Sequence, residues 1–193
     1  VNHALRKKNL PEQTLNQIRK AVGNGARKLI ERVVPKHYTT DQKNVVFQLY
    51  QKYYDSNSTK KTAPYPGVLE LLKHLKKKGY LLAVVSNKFE HLVQELNDEL
   101  FEHIFDAAIG EVSGIPIKPA PDMVYRALHV MKLNTDEVVF VGDSEVDIQT
   151  AQNAQIKSVG VTWGFRDVET LQNQNPDYMI EKPDELIHLL ERI

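Results

Sequence analysis

The order of apolar and polar positions divides the chain into two rhythms. Through residue 62 the apolar repeats keep a helical spacing: Leu15, Ile18 and Val22 share one face, and Val45, Val46, Leu49, Tyr50 and Tyr53 share another. The paired glycines of "GNGAR" (Gly23 to Arg27) interrupt it, as helix breakers should. "YDSNSTKKTAPYPG" (Tyr54 to Gly67) is a run of turn and breaker residues, which reads as a linker and places a boundary near residue 62. From Pro66 onward the rhythm alternates. Val68, Leu71, Leu72 and Leu75 form a helical face that closes in lysines and Gly79. "LLAVVSN" then predicts a strand, followed by a helix near Glu90 to Leu100 and the short strand "FDAAIGE". A helix after "KPAPD" aligns Val124, Ala127, Leu128 and Met131. The strand "VVFVGD", the helix "DIQTAQNA", the strand "SVGVTWG", a weak strand "DYMIE" and the helix "DELIHLLERI" complete the series. Continuous Val, Leu and Ile runs between amphipathic helices predict an α/β unit over 63–193, a parallel sheet covered on both faces, with a small all-helical unit over 1–62 before it.

Composition changes this picture in three places. Lys plus Arg and Asp plus Glu both number 25, so no net field draws the chain to nucleic acid or to an anionic membrane surface, and any charged ligand must be met locally. The absence of cysteine excludes disulfides and thiolate metal sites and suits a cytoplasmic location. No apolar run approaches the ~18 residues of a membrane span. The chain opens at Val1 without a methionine and already inside a helical pattern, so its start is expected upstream. Oligomeric state is not legible.

Ligands of parallel α/β sheets bind beyond the carboxyl ends of the strands, and three stretches fall there. Ser86 and Asn87 follow "LLAVV"; a hydroxyl, an amide and backbone N–H groups can hold an anion, or they can simply cap the next helix. Lys118 in "IPIKPAPD" is stiffened by Pro119 and Pro121; it can neutralise a phosphoryl group or be a solvated lysine. Asp143 and Asp147 in "VGDSEVD" stand four apart. Ser144 with Asp147 fits a capping box, which explains Asp147 but not Asp143. Two close carboxylates raise one another's pKa unless a cation lies between them, and magnesium is typically held by one or two carboxylates together with waters and a substrate phosphate.

Taken in order, "VVSNK" (84 to 88), "KPAP" (118 to 121) and "VGDSEVD" (141 to 147) resemble the second, third and fourth signatures of the haloacid dehalogenase superfamily, and the helical leader and "VTWGF" are similar to its phosphoglycolate phosphatase branch. That resemblance implies a Rossmann-like core with a helical cap over residues 1 to 62. It further implies a small phosphorylated metabolite as ligand and Mg²⁺ as cofactor. Ser86 would then hydrogen-bond the phosphoryl oxygens, with Asn87 helping to shape the same substrate-binding loop, Lys118 would offset the phosphate and the attacking carboxylate, and Asp143 and Asp147 would hold the metal. The family's first signature, a strand ending in Asp-x-Asp-Gly, has no counterpart, since no Asp precedes Asp41. The nucleophilic aspartate and the general acid are therefore expected upstream, on a strand central to the sheet. A catalytically silent phosphate-binding protein of the same fold is the competing expectation, and a phospho-accepting receiver domain a more distant one. Gly23 and Gly25 with Arg27 suggest a site for a small carboxylate, or a turn followed by a surface arginine.

Overall fold

The computed structural model describes residues 1–193, which form two compact units, Val1–Thr62 and Ala63–Ile193. The first contains only helices: α1 (Asn2–Lys7), α2 (Leu15–Ala21), α3 (Gly25–Val33) and α4 (Thr40–Asp55). α1 and α3 pack on α4, and α2 packs on α3, removing Leu5, Ile30 and Val46 from solvent. α2 and α4 both begin at a threonine whose hydroxyl accepts a glutamine N–H, Gln17 or Gln42, while that glutamine side chain bonds back to the threonine N–H. Two otherwise orphaned donors are satisfied at each start. The face expected on α2 is only partly buried: Ile18 and Val22 are half-buried and Leu15 is 88% exposed, the one buried residue of the short helix being Ala21 in its last turn.

The second unit alternates strands and helices. Helix α5 (Val68–Lys77) leads into β1 (Ala83–Phe89), α6 (Glu90–Phe101), β2 (Ala107–Glu111) and α7 (Asp122–Met131). After a 3-10 turn follow β3 (Val139–Gly142), α8 (Glu145–Ala154), β4 (Lys157–Val161), α9 (Val168–Gln172), β5 (Tyr178–Ile180) and α10 (Glu185–Leu190). All ladders are parallel. The strands form two sheets, β1-β2 and β3-β4-β5, where the sequence pattern alone predicts one. No ladder joins β1 to β3, although Val85 and Phe140 rest on the same buried cluster of Val124, Leu128, Ala154 and Ile156. Burial follows the pairing. β4 has a partner on each side and is buried from Ser158 to Val161, whereas β1 is half-buried throughout and Val141 of β3 is exposed.

Leu71 and Leu75 of α5 and Leu186 and Leu189 of α10 close over Val159, Val161 and Ile180. Val159 and Val161 are two residues apart and so project to the same side of β4. α9 escapes the sequence pattern because five residues cannot display a helical period; the Asp167 side chain caps it and Leu171 is fully buried. No helix is long and apolar enough to cross a membrane.

Candidate active site

The ladder between β1 and β2 runs in register from Ala83 to Val85, then slips, with Phe89 next opposite Glu111. The extra residues carry Ser86, Asn87 and Lys88 out of the ladder, the kind of bulge that re-aims side chains beside active sites. Gly110 makes room for it. A Cβ there would lie 2.4 Å from Glu90 Cα and 2.7 Å from the Lys88 carbonyl oxygen. Ser86 Oγ accepts the Lys88 N–H at 3.2 Å, and its own hydrogen has no acceptor within the chain. Neither Ser86 nor Asn87 caps the following helix: α6 starts at Phe89 without a side-chain cap bond.

Asn87 reaches 31 residues along the chain to the Lys118 segment. Its Oδ1 accepts the Lys118 N–H at 2.8 Å and its Nδ2 donates to the Lys118 carbonyl at 2.8 Å. Lys118 is only 9% exposed, so it is not a solvated lysine. Its ammonium donates to the Val85 carbonyl at 2.8 Å and to Asp147 Oδ1 at 2.7 Å. It also lies 5.5 Å from the centre of the Phe140 ring.

Both oxygens of Asp147 are engaged. Oδ1 takes the ammonium, while Oδ2 accepts the Ser144 hydroxyl at 2.7 Å and the N–H groups of Ser144 and Asp143 at 3.1 and 3.2 Å. The capping box of α8 is therefore present, and the same carboxylate is the counter-ion of Lys118. Gly142 lets Asp147 in, since a Cβ there would fall 2.1 Å from Asp147 Cβ. An acid at this position also suits the positive end of a helix.

Asp143 differs. Its Oδ2 accepts the Phe165 N–H at 3.0 Å, its backbone carbonyl accepts the Arg166 N–H at 3.2 Å, and its Oδ1 accepts no hydrogen bond. Burial, and after it the Asp147 charge, push its carboxyl above the ordinary value. A partly buried carboxylate with one open oxygen and a like charge beside it is suited to a hard divalent cation, which can be held through one carboxylate, waters and a phosphate. The chain contains no cluster of three His, Cys, Asp or Glu that could enclose a metal by itself; of the two expected metal ligands, Asp147 already has both oxygens in hydrogen bonds. Asp147 meets the ammonium and the helix end first.

The "VTWGF" loop both packs and reaches the site. Trp163 does pack at the edge of the hydrophobic core. Gly164, however, lies against Asp143, where a Cβ would come 2.1 Å from Asp143 Cβ. Arg166 forms a two-point pair with Glu145, at 2.7 and 3.0 Å, tying the loop to the first turn of α8. Nothing in residue spacing signals that pair, although "WGFRD" standing just beyond the end of β4 offers a clue. Arg27 belongs to the helical unit. There its guanidinium lies over the Phe47 ring at 4.3 Å and donates to Asn44 at 3.3 Å, beside a cavity of ≈ 310 Å³ lined also by Gln48 and Gln51.

The sequence profile of the haloacid dehalogenase-like hydrolases matches residues 1–161, and the chain belongs to that family. Within it the similarity is to phosphoglycolate phosphatases. The enzyme of that name from Aquifex aeolicus is 31% identical over 192 residues, 99% of this chain and 87% of the relative. The one from Haemophilus influenzae is 33% identical over 198 residues, 98% of this chain and 88% of the relative. The crystal structure of a "predicted phosphoglycolate phosphatase" from Haemophilus somnus superposes with a TM-score of 0.88 at 31% identity, over 98% of this chain and 88% of that one.

Proposed function

We propose that the protein is a magnesium-dependent phosphatase of small phosphorylated metabolites, with phosphoglycolate-like monoesters as substrates and an aspartyl-phosphate intermediate. The observation that carries the reading is the buried Lys118 ammonium, held between the Val85 carbonyl and Asp147 within the same bulge-and-loop site as the uncommitted Ser86 hydroxyl and the open oxygen of Asp143. Fixed donors of this kind stabilise charge that develops on a transferring phosphoryl group. Ser86 would donate to a phosphoryl oxygen, and Lys118 would offset the charge shared by phosphate and attacking carboxylate. Asp143 would hold the Mg²⁺, which when bound neutralises phosphate charge and orients the group. The helical unit, 1–62, would act as the cap that excludes water and reads the leaving group. Arg27 is proposed as its contact for a small carboxylate, by bidentate pairing.

None of the residues described here is assigned as the attacking aspartate or the general acid; β1 and β3 each end a sheet with one edge unpaired, where a further strand can add. Phosphate release from 2-phosphoglycolate by the natural full-length protein should require Mg²⁺ and fall on the order of 10²–10³-fold in Lys118→Ala, the loss typical of one electrostatic donor. Arg27→Ala should lose activity on phosphoglycolate more than on a neutral phosphate ester. The alternative reading is a phosphate-binding protein of the same fold without turnover. Saturable phosphate binding with no release in the presence of Mg²⁺ would establish that reading and reject the first.

A further inference from the structure

We infer that Asn87 is a positioning residue for Lys118 and not a ligand of the phosphoryl group. The inference rests on the phosphatase reading for its kinetic consequence, while its geometric content stands apart from it. The carboxamide bonds the lysine backbone at both ends, its oxygen accepting the N–H and its nitrogen donating to the carbonyl, both at 2.8 Å. Lys118 is thereby held at two places by neighbouring residues of one bulge. Asn87 fixes its peptide and the Val85 carbonyl fixes its ammonium. A long, flexible side chain held at both ends has little freedom left, and its charge is delivered to one point, against Asp147 at 2.7 Å. The slipped register of β1 makes this possible, because in a regular ladder the Asn87 side chain would stand on the sheet instead of bridging to a separate segment. The same device occurs in the helical unit, where the Asn2 carboxamide joins the N–H and carbonyl of Gln13 at 3.0 and 2.9 Å. There it only fastens a chain reversal. At Asn87 the fastened residue carries the buried charge, and displacing a catalytic group by about 1 Å costs on the order of 10²-fold in rate.

The test compares wild type, Asn87→Ala, Lys118→Ala and the double variant in the natural full-length protein. If Asn87 acts through the ammonium, Asn87→Ala lowers kcat by about 10²-fold in the wild type, leaves KM within about twofold, and lowers kcat little further once Lys118 is alanine, the signature of residues that act as a unit. An equal factor in both backgrounds, or a loss confined to KM, would overturn the inference and return Asn87 to the substrate. A second readout needs no turnover. Acetylation of lysine amines, followed by peptide mass spectrometry, should be slow at Lys118 in the wild type and several-fold faster in Asn87→Ala, with exposed Lys157 unchanged. Unaltered protection of Lys118 would also overturn it. Should Asn87→Ala not fold, Asn87→Asp keeps the shape but sets an oxygen against the Lys118 carbonyl and must show the same faster labelling. If the wild type releases no phosphate, the phosphatase reading fails, and the labelling still decides the clamp.

Discussion

Replacing Asp147 by Asn isolates the ion pair at the centre of the site. The carboxamide oxygen can still accept the bonds that cap α8 from Ser144 and Asp143, so the helix start survives. The other position becomes an NH₂ group facing the Lys118 ammonium, donor against donor. Both side chains of the pair are only 11% exposed, and the ammonium is left with one acceptor, the Val85 carbonyl. Removing one partner of a buried pair costs about 3–5 kcal/mol, because the remaining charge stays desolvated. The capping contribution of ~1 kcal/mol is not added, since the cap persists. At roughly 2–4 °C per kcal/mol for a chain of this size, the loss of Tm should be roughly 6–20 °C. Fluorescence of Trp163 measures it cleanly: it is the only tryptophan and lies in the α/β unit. Lys118→Met in the same chain removes the stranded charge, so the double variant should recover at least half of the loss. A single variant within about 1 kcal/mol of wild type, or a double variant equal to the sum of its singles, would refute the reasoning.

Three further outcomes follow from the structure. The Asp143 carboxyl is held above its ordinary value by burial and by the Asp147 charge, so the acid form is favoured in the folded chain. Its contribution to stability is present below the unfolded value of about 3.9 and is lost as pH rises through the raised folded value. In metal-free buffer Asp143→Asn should therefore have a higher Tm than wild type at neutral pH, with the gain vanishing in acid, while Mg²⁺-dependent phosphate release is abolished; a Tm equal to wild type at every pH would contradict this. Gly110→Ala should destabilise by about 1–3 kcal/mol or more in urea unfolding, because its Cβ meets backbone atoms of Glu90 and Lys88. Gly160→Ala should cost less, since the one close approach of its Cβ is to the flexible Met179 side chain, with Pro176 at ordinary contact distance.

The α/β alternation was legible because long apolar runs and helical periods report burial directly. Ser86, Lys118, Asp143 and Asp147 stood out because each follows a strand or stiff segment at the sheet's carboxyl end. What connects them was not legible. The Asn87 clamp spans 31 residues, and the slip in β1 depends on a glycine in a neighbouring strand. α9 was too short to show a period, and its Leu171 reads in sequence like any loop leucine. The capping box of Ser144 and Asp147 was legible in sequence and the pair of Asp147 with Lys118 was not, and the structure shows both. A carboxylate has two oxygens and several lone pairs, and each function takes a different one.

That shared carboxylate constrains how the protein can diverge. Any change that loosens Asp147 to retune the lysine also unravels the start of a structural helix, so natural variants of the ammonium's surroundings are filtered by folding before they are filtered by chemistry. Diversification is left to places where such double duty is absent, foremost the helical unit.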